Sequence, residues 1–286
     1  MEPMDKTAAM LAPIISAAGA NMTINEGDYL DDEGLYVCGK CGKRKQTVIM
    51  IPDRRVVHCT CDCDIKRMED EKNEFRRKEE ERLLKRLKEA SMMDAEFEDC
   101  TFDKFERDEW NEYNLKLCNR YATGFDDMLS KNQGLLMYGS WGTGKSFAAA
   151  CIANYLLEHK VPVIMVSMPR LIEMISSNRG GESEIISRLN HAKLVIFDDL
   201  GAERETAYAA EKVYTIIDNR CRIKLPMIVT TNFTIEEIKN CTDPKYARVF
   251  SRISKYCHPM NFVGPDRRKV EAGKRFDETR RKLGES

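Results

Sequence analysis

Short, almost purely apolar segments recur along the chain from residue 135 onward. Each ends at polar or glycine residues, which is typical of strands that are buried on both faces. Segments of helix-forming composition lie between them. This alternation predicts a parallel sheet with helices on both faces and with ligands at the carboxyl ends of the strands. The predicted strands are 135–138, 162–166, 194–199 and 227–232, and the predicted helices are 108–123, 147–157, 167–177, 183–190 and 207–220.

A highly charged segment precedes this region. Residues 64–90 contain neither Pro nor Gly and place opposite charges four residues apart, as in Glu74 and Lys78. Their apolar residues form no sustained heptad, so we interpret the segment as a solvent-exposed helix that joins two domains. A coiled coil is the alternative. Further upstream, 46–51 and 56–57 flank a Pro-Asp turn and predict a β-hairpin.

The N-terminal segment 1–20 is mildly apolar and ends in small residues. Its acidic start and internal Pro13 favour a short helix or a loose arm, and a signal peptide is the alternative. No apolar run approaches the roughly 20 residues that span a bilayer, so we expect no membrane segment.

The composition narrows the class of protein. The chain has 286 residues, of which 33% are charged and 42% hydrophobic, and its net charge is −1. A balanced charge gives no global attraction to nucleic acid, so any basic surface must be local. Eleven cysteines in a chain that also contains the segment GSWGTGKS suggest a reducing cytoplasm, where clustered cysteines bind metal more often than they form disulfides.

Five cysteines lie close together between residues 38 and 63. The first two form a Cys-x-x-Cys turn, and the predicted hairpin would bring the other three beside it. Tetrahedral zinc needs four ligands, so we expect the first pair with two of the later three, most simply Cys59 with Cys61 or Cys63. We expect a structural site; a reduced cluster without metal is the alternative. The candidate ligands are Cys38, Cys41, Cys59, Cys61, Cys63 and, in reserve, His58.

The most specific motif is G-x-x-x-x-G-K-S, which lies between a predicted strand and a predicted helix. This context is the one in which backbone N–H groups and a helix N-terminus bind phosphates. The lysine would reach the β- and γ-phosphates, and the serine hydroxyl would ligate Mg²⁺. The motif consists of Gly139, Ser140, Trp141, Gly142, Thr143, Gly144, Lys145 and Ser146.

Polar residues end two of the later predicted strands. Asp198 and Asp199 follow an apolar run, and we expect Asp198 to hold Mg²⁺ through water and Asp199 to polarise the attacking water. Many ATPases with this kind of phosphate loop carry Glu at the position of Asp199, and the Asp side chain is shorter. Asn232 ends another strand and could orient that water, although strand-end Asn is often only turn chemistry.

These motifs in this order resemble a known family. Besides the phosphate loop, the segments VIFDDLG, VTTN, FSRI and the G-x-x-x-R of 264–268 are similar to AAA+ ATPases of the DnaC/DnaI helicase-loader type, in phages and bacteria, with the transposition helper IstB as a close relative. The resemblance covers roughly 97–270 well and 36–63 more loosely. It implies that residues 1–63 form a zinc-binding, partner-binding module, 64–96 a charged linker, and 97–286 the α/β AAA+ domain.

The resemblance also implies roles for single residues. It makes Asp198 and Asp199 the Walker B pair, Asn232 the sensor 1 residue and Arg252 an arginine finger that acts on a neighbouring subunit's ATP. Arg248 is the alternative finger. Arg268 would be the sensor 2 residue, with Arg267 one position away. A finger in trans implies a ring or spiral oligomer.

The function implied is ATP-dependent loading of a replicative DnaB-type hexameric helicase onto single-stranded DNA. The alternatives are a transposition-helper ATPase that coats duplex DNA, and a zinc-dependent adaptor with a degenerate ATPase. Arginines that could contact single-stranded DNA surround the predicted helices 167–190 and the loop after Walker B, although ordinary solvated arginines are the alternative for each. They are Arg170, Arg179, Arg188 and Arg204.

Overall fold

The computed structural model describes residues 24–50, 52–105, 107–177, 181–204 and 206–283. The predicted N-terminal arm lies outside the described residues. The chain divides into two units, one that ends at Glu81 and one that begins at Arg82. The domain boundaries expected near 63 and 96 stay a prediction. No helix among the described residues is long and apolar enough to cross a membrane.

The first unit contains two small antiparallel pairs of strands. Strand β1 (Tyr29–Leu30) pairs with β2 (Tyr36–Val37), and β3 (Gln46–Met50) pairs with β4 (Arg54–His58). The second pair is the predicted hairpin, in which β-branched Val48 lies opposite Val56. It brings the residues that follow β4 beside those that precede β3.

A long charged helix, α1 (Asp62–Ala90), follows the hairpin. It begins two residues earlier than the charged composition predicts. Its surface ion pairs include Lys78 with Glu74, whose Nζ and Oε1 atoms are 2.7 Å apart. Almost every side chain of the helix is exposed or half-buried, and only Asp64 is buried.

A five-stranded parallel sheet forms the centre of the described second unit. The four predicted strands are present as β5 to β8, a fifth strand, β9, joins them, and the order of neighbours in the sheet is β6-β7-β8-β5-β9. Strand β5, which leads into the phosphate loop, therefore lies between β8 and β9. The strands are β5 (Gly134–Tyr138), β6 (Val163–Ser167), β7 (Leu194–Leu200), β8 (Met227–Thr231) and β9 (Cys257–Asn261).

Helices cover the sheet. The helix expected from Asp108 begins only at Glu112, because the Asp108 carboxylate accepts hydrogen bonds from the N–H groups of Trp110 and Asn111 and holds them in a turn. The helices are α2 (Glu112–Thr123), α3 (Phe125–Ser130), α4 (Lys145–Glu158), α5 (Met168–Ser177), α6 (Glu182–His191), α7 (Ala207–Arg222), α8 (Ile235–Lys239), α9 (Pro244–Tyr256) and α10 (Arg267–Leu283).

Two apolar layers pack on the two faces of the sheet. Along β7, Val195 and Phe197 join one layer, whereas Leu194 and Ile196 join the other. Successive side chains of a strand point to opposite faces, so a strand that is covered on both sides must be apolar at every position. This is the reason why the strands appear as continuous apolar runs in the sequence.

Strand β9 is absent from the sequence-based prediction. It reads Cys-His-Pro-Met-Asn and pairs with β5 at the edge of the sheet, where Pro259 is tolerated because one side of the strand needs no ladder hydrogen bonds. Only Cys257 and Met260 of the strand are buried. A mixed pattern with an internal proline carries no strand signal, and only the pairing with β5 makes this segment a strand.

Candidate nucleotide site and cysteine site

The phosphate loop joins β5 to α4, as the motif predicts. Lys145 is the first residue of α4 and is buried. Its Nζ donates to the carbonyl oxygens of Gly139 (2.8 Å) and Ser140 (2.7 Å) and to Oδ1 of Asn232 (2.8 Å). Burial lowers the pKa of Lys145 to about 8, and Asp199 and Asp198 act in the opposite direction. All three hydrogen-bond partners are neutral, so the lysine can still gain from an anionic ligand.

Glycine is required where a second segment lies against the loop. Gly142 has a φ of +72°, and a Cβ atom there would lie 1.9 Å from an oxygen of the Asp266 carboxylate. The backbone N–H of Arg267 donates to the carbonyl of Gly142 at 2.9 Å. The start of α10 is therefore fixed directly against the phosphate loop.

A cavity of about 620 Å³ opens beside the loop. One wall comes from the segment that leads into the domain, which Asn154 of α4 anchors by donating to the carbonyls of Phe97 and Cys100, each at 2.8 Å. The cavity is lined by Glu96, Phe97, Cys100, Lys104, Phe105, Trp141, Gly142, Thr143, Gly144, Lys145, Ser146, Phe147, Asp199, Ala202, Asn232, Arg267, Arg268, Glu271 and Arg275.

Asp198 lies behind the lining of the cavity. Its side chain is buried, and burial raises the pKa of its carboxyl group. Thr230 of β8 donates its hydroxyl to Oδ1 of Asp198 at 2.6 Å, and the Ser146 side chain also hydrogen-bonds to Asp198. A carboxylate and a hydroxyl thus converge at the loop, which are oxygen donors of the kind that Mg²⁺ prefers.

Asp199 reaches the cavity because the strand is irregular at this point. The pairing of β7 with β8 shifts register between Phe197 and Leu200, and Asp199 has a φ of +53°. Its N–H donates to Oγ1 of Thr230 at 2.9 Å, which fixes this left-handed conformation. Bulges of this kind re-aim side chains beside functional sites. The sequence places two carboxylates at a strand end, and the bulge separates one from the other.

Two arginines at the start of α10 also line the cavity. Arg267 forms a short ion pair with Asp108, and Arg268 is exposed. The predicted sensor residue Asn232 meets them in the same cavity, so the structure brings Lys145, Asp199, Asn232 and Arg268 together. Their catalytic roles stay predictions.

Arg252 does not line this cavity. It lies on α9, where its Nη2 is 2.8 Å from Oδ1 of Asp218, and its side chain also hydrogen-bonds to Tyr214. Arg248, one turn earlier on the same helix, is exposed. The geometry places neither arginine beside the nucleotide loop of its own chain, and the role in trans stays a prediction.

The cysteine cluster is assembled in the first unit. The sulfur atoms of Cys38, Cys41, Cys61 and Cys63 all lie within 4.8 Å of one another. Four sulfurs that surround zinc at about 2.3 Å are about 3.8 Å apart, so these thiols fit a tetrahedral zinc ion with a small contraction. The backbone N–H of Lys43 lowers the pKa of Cys41 to about 7, which favours the thiolate that binds metal.

The favoured choice of Cys59 as a ligand needs correction. Its N–H donates to the carbonyl of Lys45 at 2.7 Å, which continues the hairpin and leaves the Cys59 sulfur outside the cluster. Cys61 precedes the first turn of α1 and Cys63 lies within it, so the start of the helix carries both thiols. The reserve ligand His58 is also outside the cluster.

The arginines considered for DNA binding occupy different settings. Arg170 forms a short ion pair with Asp94, whereas Arg188 of α6 and Arg204 are exposed. Arg179 lies outside the described residues. Nothing in this arrangement selects one of them as a DNA contact.

Sequence reasoning did not find two residues that support the site, Thr230 and Glu203. Thr230 is part of an apolar run, yet its hydroxyl links Asp198 to the backbone of Asp199. Buried Glu203 accepts hydrogen bonds from the N–H of Gly201 at 2.8 Å and from the hydroxyl of Tyr246, so it ties the loop after β7 to α9. A polar residue inside an otherwise apolar strand is the one signal that could have drawn attention to Thr230.

The phosphate loop on β5, the paired carboxylates on β7 and the amide after β8 define a P-loop nucleotide-binding protein of the AAA+ class. A family model described as IstB-like ATP binding protein matches residues 66–274, and the chain belongs to this family. The resemblance to DnaC/DnaI-type proteins that the motifs indicate is confirmed.

Curated relatives match about half of the chain. A replicative helicase loader, DnaI of Bacillus subtilis (strain 168), is 28% identical over 150 residues, which are 48% of this chain and 48% of the relative. A replicative helicase loader, DnaC of Escherichia coli (strain K12), is 25% identical over 146 residues, which are 49% of this chain and 58% of the relative. The chain thus spans about half the length of these relatives.

Solved structures support the fold. A crystal structure of DnaI superposes with a TM-score of 0.52 at 24% identity and covers 61% of this chain and 94% of that one. A crystal structure of the DnaC helicase loader gives a TM-score of 0.52 at 18% identity and covers 59% of this chain and 100% of that one. At these identities the likeness concerns the fold alone.

Proposed function

We propose that this protein is an ATP-dependent loader that places a replicative DNA helicase on single-stranded DNA. The observation that carries the proposal is the cavity in which Lys145, Asp199, Asn232 and Arg268 meet beside the phosphate loop. The names of the relatives, which are replicative helicase loaders, support the helicase as the partner.

In this proposal the loop residues 139–146 bind ATP. Their N–H groups and Lys145 hold the phosphates, while Ser146 and Asp198 hold Mg²⁺, which neutralises charge on the β- and γ-phosphates when it is bound. In hydrolysis a water oxygen forms a bond to the γ-phosphorus and the bond to the β,γ-bridging oxygen breaks, giving ADP and phosphate. Asp199 and Asn232 would orient that water, and Asp199 would accept its proton.

The site would be complete only between two copies of the chain. Charge builds up on the transferred phosphoryl group, and an arginine delivered by a neighbour stabilises it. Arg252, which lies away from its own cavity, would be that arginine in a ring or spiral oligomer, with Arg248 as the alternative. Arg268 would sense the γ-phosphate from within the same chain.

The zinc-binding module, residues 1–63, would bind the helicase. Zn²⁺ bound by Cys38, Cys41, Cys61 and Cys63 would fix a unit that has little apolar core of its own. ATP binding would order the oligomer and its hold on DNA, and hydrolysis would release the helicase. We place this activity in the cytoplasm, where reduced cysteines are compatible with a zinc site.

The proposal is tested with the full-length protein in two assays. ATP turnover is measured with and without single-stranded DNA, and the protein is then incubated with a hexameric replicative helicase and co-purified. We expect DNA-stimulated turnover and a complex with the helicase. Turnover at background with zinc still bound would overturn the proposal in favour of an adaptor.

The matched family itself favours one second candidate, a transposition-helper ATPase. Such a protein would coat duplex DNA and capture a transposase. The same co-purification with a transposase in place of the helicase separates the two functions. A complex with the transposase alone would select this candidate.

A further inference from the structure

Asp218 lies at the contact between α7 and α9 and is almost completely buried. Its two carboxylate oxygens form ion pairs with different arginines. Oδ2 accepts a hydrogen bond from Nε of Arg222 at 2.5 Å, whereas Oδ1 lies 2.8 Å from Nη2 of Arg252 in an ion pair without hydrogen-bond geometry. The side chain of Asp218 is 9% exposed, that of Arg252 is 38% exposed, and that of Arg222 is 72% exposed. A buried carboxylate thus holds one arginine that is fully in solvent and one that is half-buried.

Tyr214 adds a second contact to Arg252. It lies one turn before Asp218 on α7, and its side chain hydrogen-bonds to the Arg252 guanidinium. Residues four apart share one face of a helix, so Tyr214 and Asp218 approach the guanidinium from the same face of α7. The exposed part of Arg252 is left to face solvent.

The charges of the cluster do not cancel. One carboxylate lies between two guanidinium groups, so the cluster of Asp218, Arg222 and Arg252 keeps a formal charge of +1. Arg222 alone can neutralise the buried carboxylate, because it lies one turn away on the same helix. Arg252 is therefore oriented without losing the positive charge that a phosphate ligand would meet.

Orientation matters for an arginine that must act on another chain. A free arginine side chain carries about 2 kcal/mol of rotamer entropy, which would be lost when it binds. Contacts that fix the side chain beforehand reduce this loss, and a displacement of 1 Å can lower a rate by about 100-fold. Within the described residues Arg248 has no ion pair of this kind, so α9 carries one arginine that an ion pair holds and one without such a pair.

We infer that Asp218, together with Tyr214, is a positioning residue that presents Arg252 to the ATP of a neighbouring copy. This inference rests on the proposed function of Arg252 as a residue that acts in trans. It assigns the α7 face, which lies outside the nucleotide cavity, to the same reaction.

The first test is Asp218→Asn in the full-length protein, which keeps the shape and removes the charge. We expect ATP affinity within about twofold of the wild type and turnover about 10- to 100-fold lower. Arg222→Gln is the matched control, because it removes the other arginine from the same carboxylate but leaves Arg252 held; its turnover should fall much less than that of Asp218→Asn. If Asp218→Asn does not fold, Tyr214→Phe tests the positioning of Arg252 through its second contact, since this change removes only the hydroxyl group.

A mixing experiment separates positioning from stability. Lys145→Ala carries an intact Arg252 but binds ATP about 1000-fold more weakly, whereas Asp218→Asn or Tyr214→Phe binds ATP but presents Arg252 poorly. In a mixture, the ATP of the second variant meets the well-placed Arg252 of the first, so turnover should recover to at least one quarter of the wild-type value per ATP site. A loss of turnover that mixing does not restore would overturn the inference, and so would unchanged turnover in the positioning variants alone.

Arg252→Ala distinguishes this inference from the proposed function on which it rests. If Arg252→Ala turns over ATP normally, the trans role of Arg252 fails and the inference fails with it. If Arg252→Ala is inactive while Asp218→Asn and Tyr214→Phe are both fully active, only the positioning role fails.

Discussion

Lys45 in the first unit and Lys145 in the second are both buried, but their pKa values shift in opposite directions. Burial by itself lowers the pKa of a lysine. The Nζ atom of Lys45 lies 2.7 Å from a carboxylate oxygen of Asp28 and 3.2 Å from one of Asp64. These two carboxylates outweigh the effect of burial and raise the pKa of Lys45. Lys145 is bonded to two carbonyls and an amide, and its pKa falls to about 8.

The difference separates a structural charge from a functional one. Lys45 is already matched by permanent anions, and it ties the segment before β1 to the start of α1. Lys145 is held in place by neutral oxygens that an anionic ligand can replace. A buried cation whose partners are neutral has the largest energy to gain from binding a phosphate.

We expect removal of the proposed zinc ion to change the first unit more than any other perturbation. Structural zinc supplies about 10–16 kcal/mol of apparent binding free energy at neutral pH. We expect Cys61→Ser to lose the bound metal and to unfold this unit, while Cys59→Ser keeps one zinc per chain. Metal content by atomic emission and thermal unfolding measure both effects. Zinc retained by Cys61→Ser and lost by Cys59→Ser would contradict the cluster seen in the structure.

Removing the structural lysine should destabilise the same unit without affecting ATP. Lys45→Met leaves the buried Asp28 carboxylate without its cation, while Asp64 keeps Arg67 at 3.0 Å, and breaking such a buried pair costs about 3–5 kcal/mol. Chemical denaturation would measure the loss, and ATP affinity should stay unchanged. A variant as stable as the wild type would show that the ion pairs contribute nothing net.

The reciprocal change at the nucleotide site should remove binding without a comparable loss of stability. Lys145→Ala deletes the cation that meets the phosphates, so we expect ATP affinity to fall by about 1000-fold, or about 4 kcal/mol. Isothermal titration calorimetry would measure the affinity, with zinc content as the control. Wild-type affinity in this variant would remove the basis for the comparison of the two lysines.

A smaller effect is expected from the carboxylate on the bulge. Asp199→Asn keeps the backbone conformation but cannot accept a proton, so turnover should fall by about 100-fold, within the range for general-base groups. Binding of ATP should be retained. Asp199→Glu sharpens the test. If the length of the side chain limits the reaction, this variant should turn over ATP at least as fast as the wild type. If the position of the carboxylate on the bulge limits it, turnover should fall.

The smallest effect concerns pH. ATP favours the charged form of Lys145, so binding raises the pKa from about 8 in the free protein. Affinity should therefore be constant well below pH 8 and fall above it, by at most about tenfold per pH unit, until the pKa of the complex is reached. Calorimetry in buffers of different ionisation enthalpy should show proton uptake near pH 8.5. Affinity independent of pH from 7 to 9.5 would contradict the lowered pKa.

Much of the second unit could be predicted because its signals are local. Strands β5 to β8 are apolar at every position, since both faces of the sheet are covered. The phosphate loop and the Asp198–Asp199 pair lie at strand ends that a parallel sheet must bring to one edge. Strand β9 and Thr230 were not predictable in this way, because a partner strand gives each its role.

The sequence by itself determined which chemical groups this protein has and where along its strands and turns they lie. Spacing over a few residues suffices for a phosphate loop, a Cys-x-x-Cys turn or a charged helix, because such features depend on local backbone geometry. The tertiary structure decided which groups meet. It selected Cys61 with Cys63 over Cys59, turned Asp199 into the cavity and fixed Arg252 on Asp218. These choices depend on register and on helix packing, which join residues that are far apart in the chain.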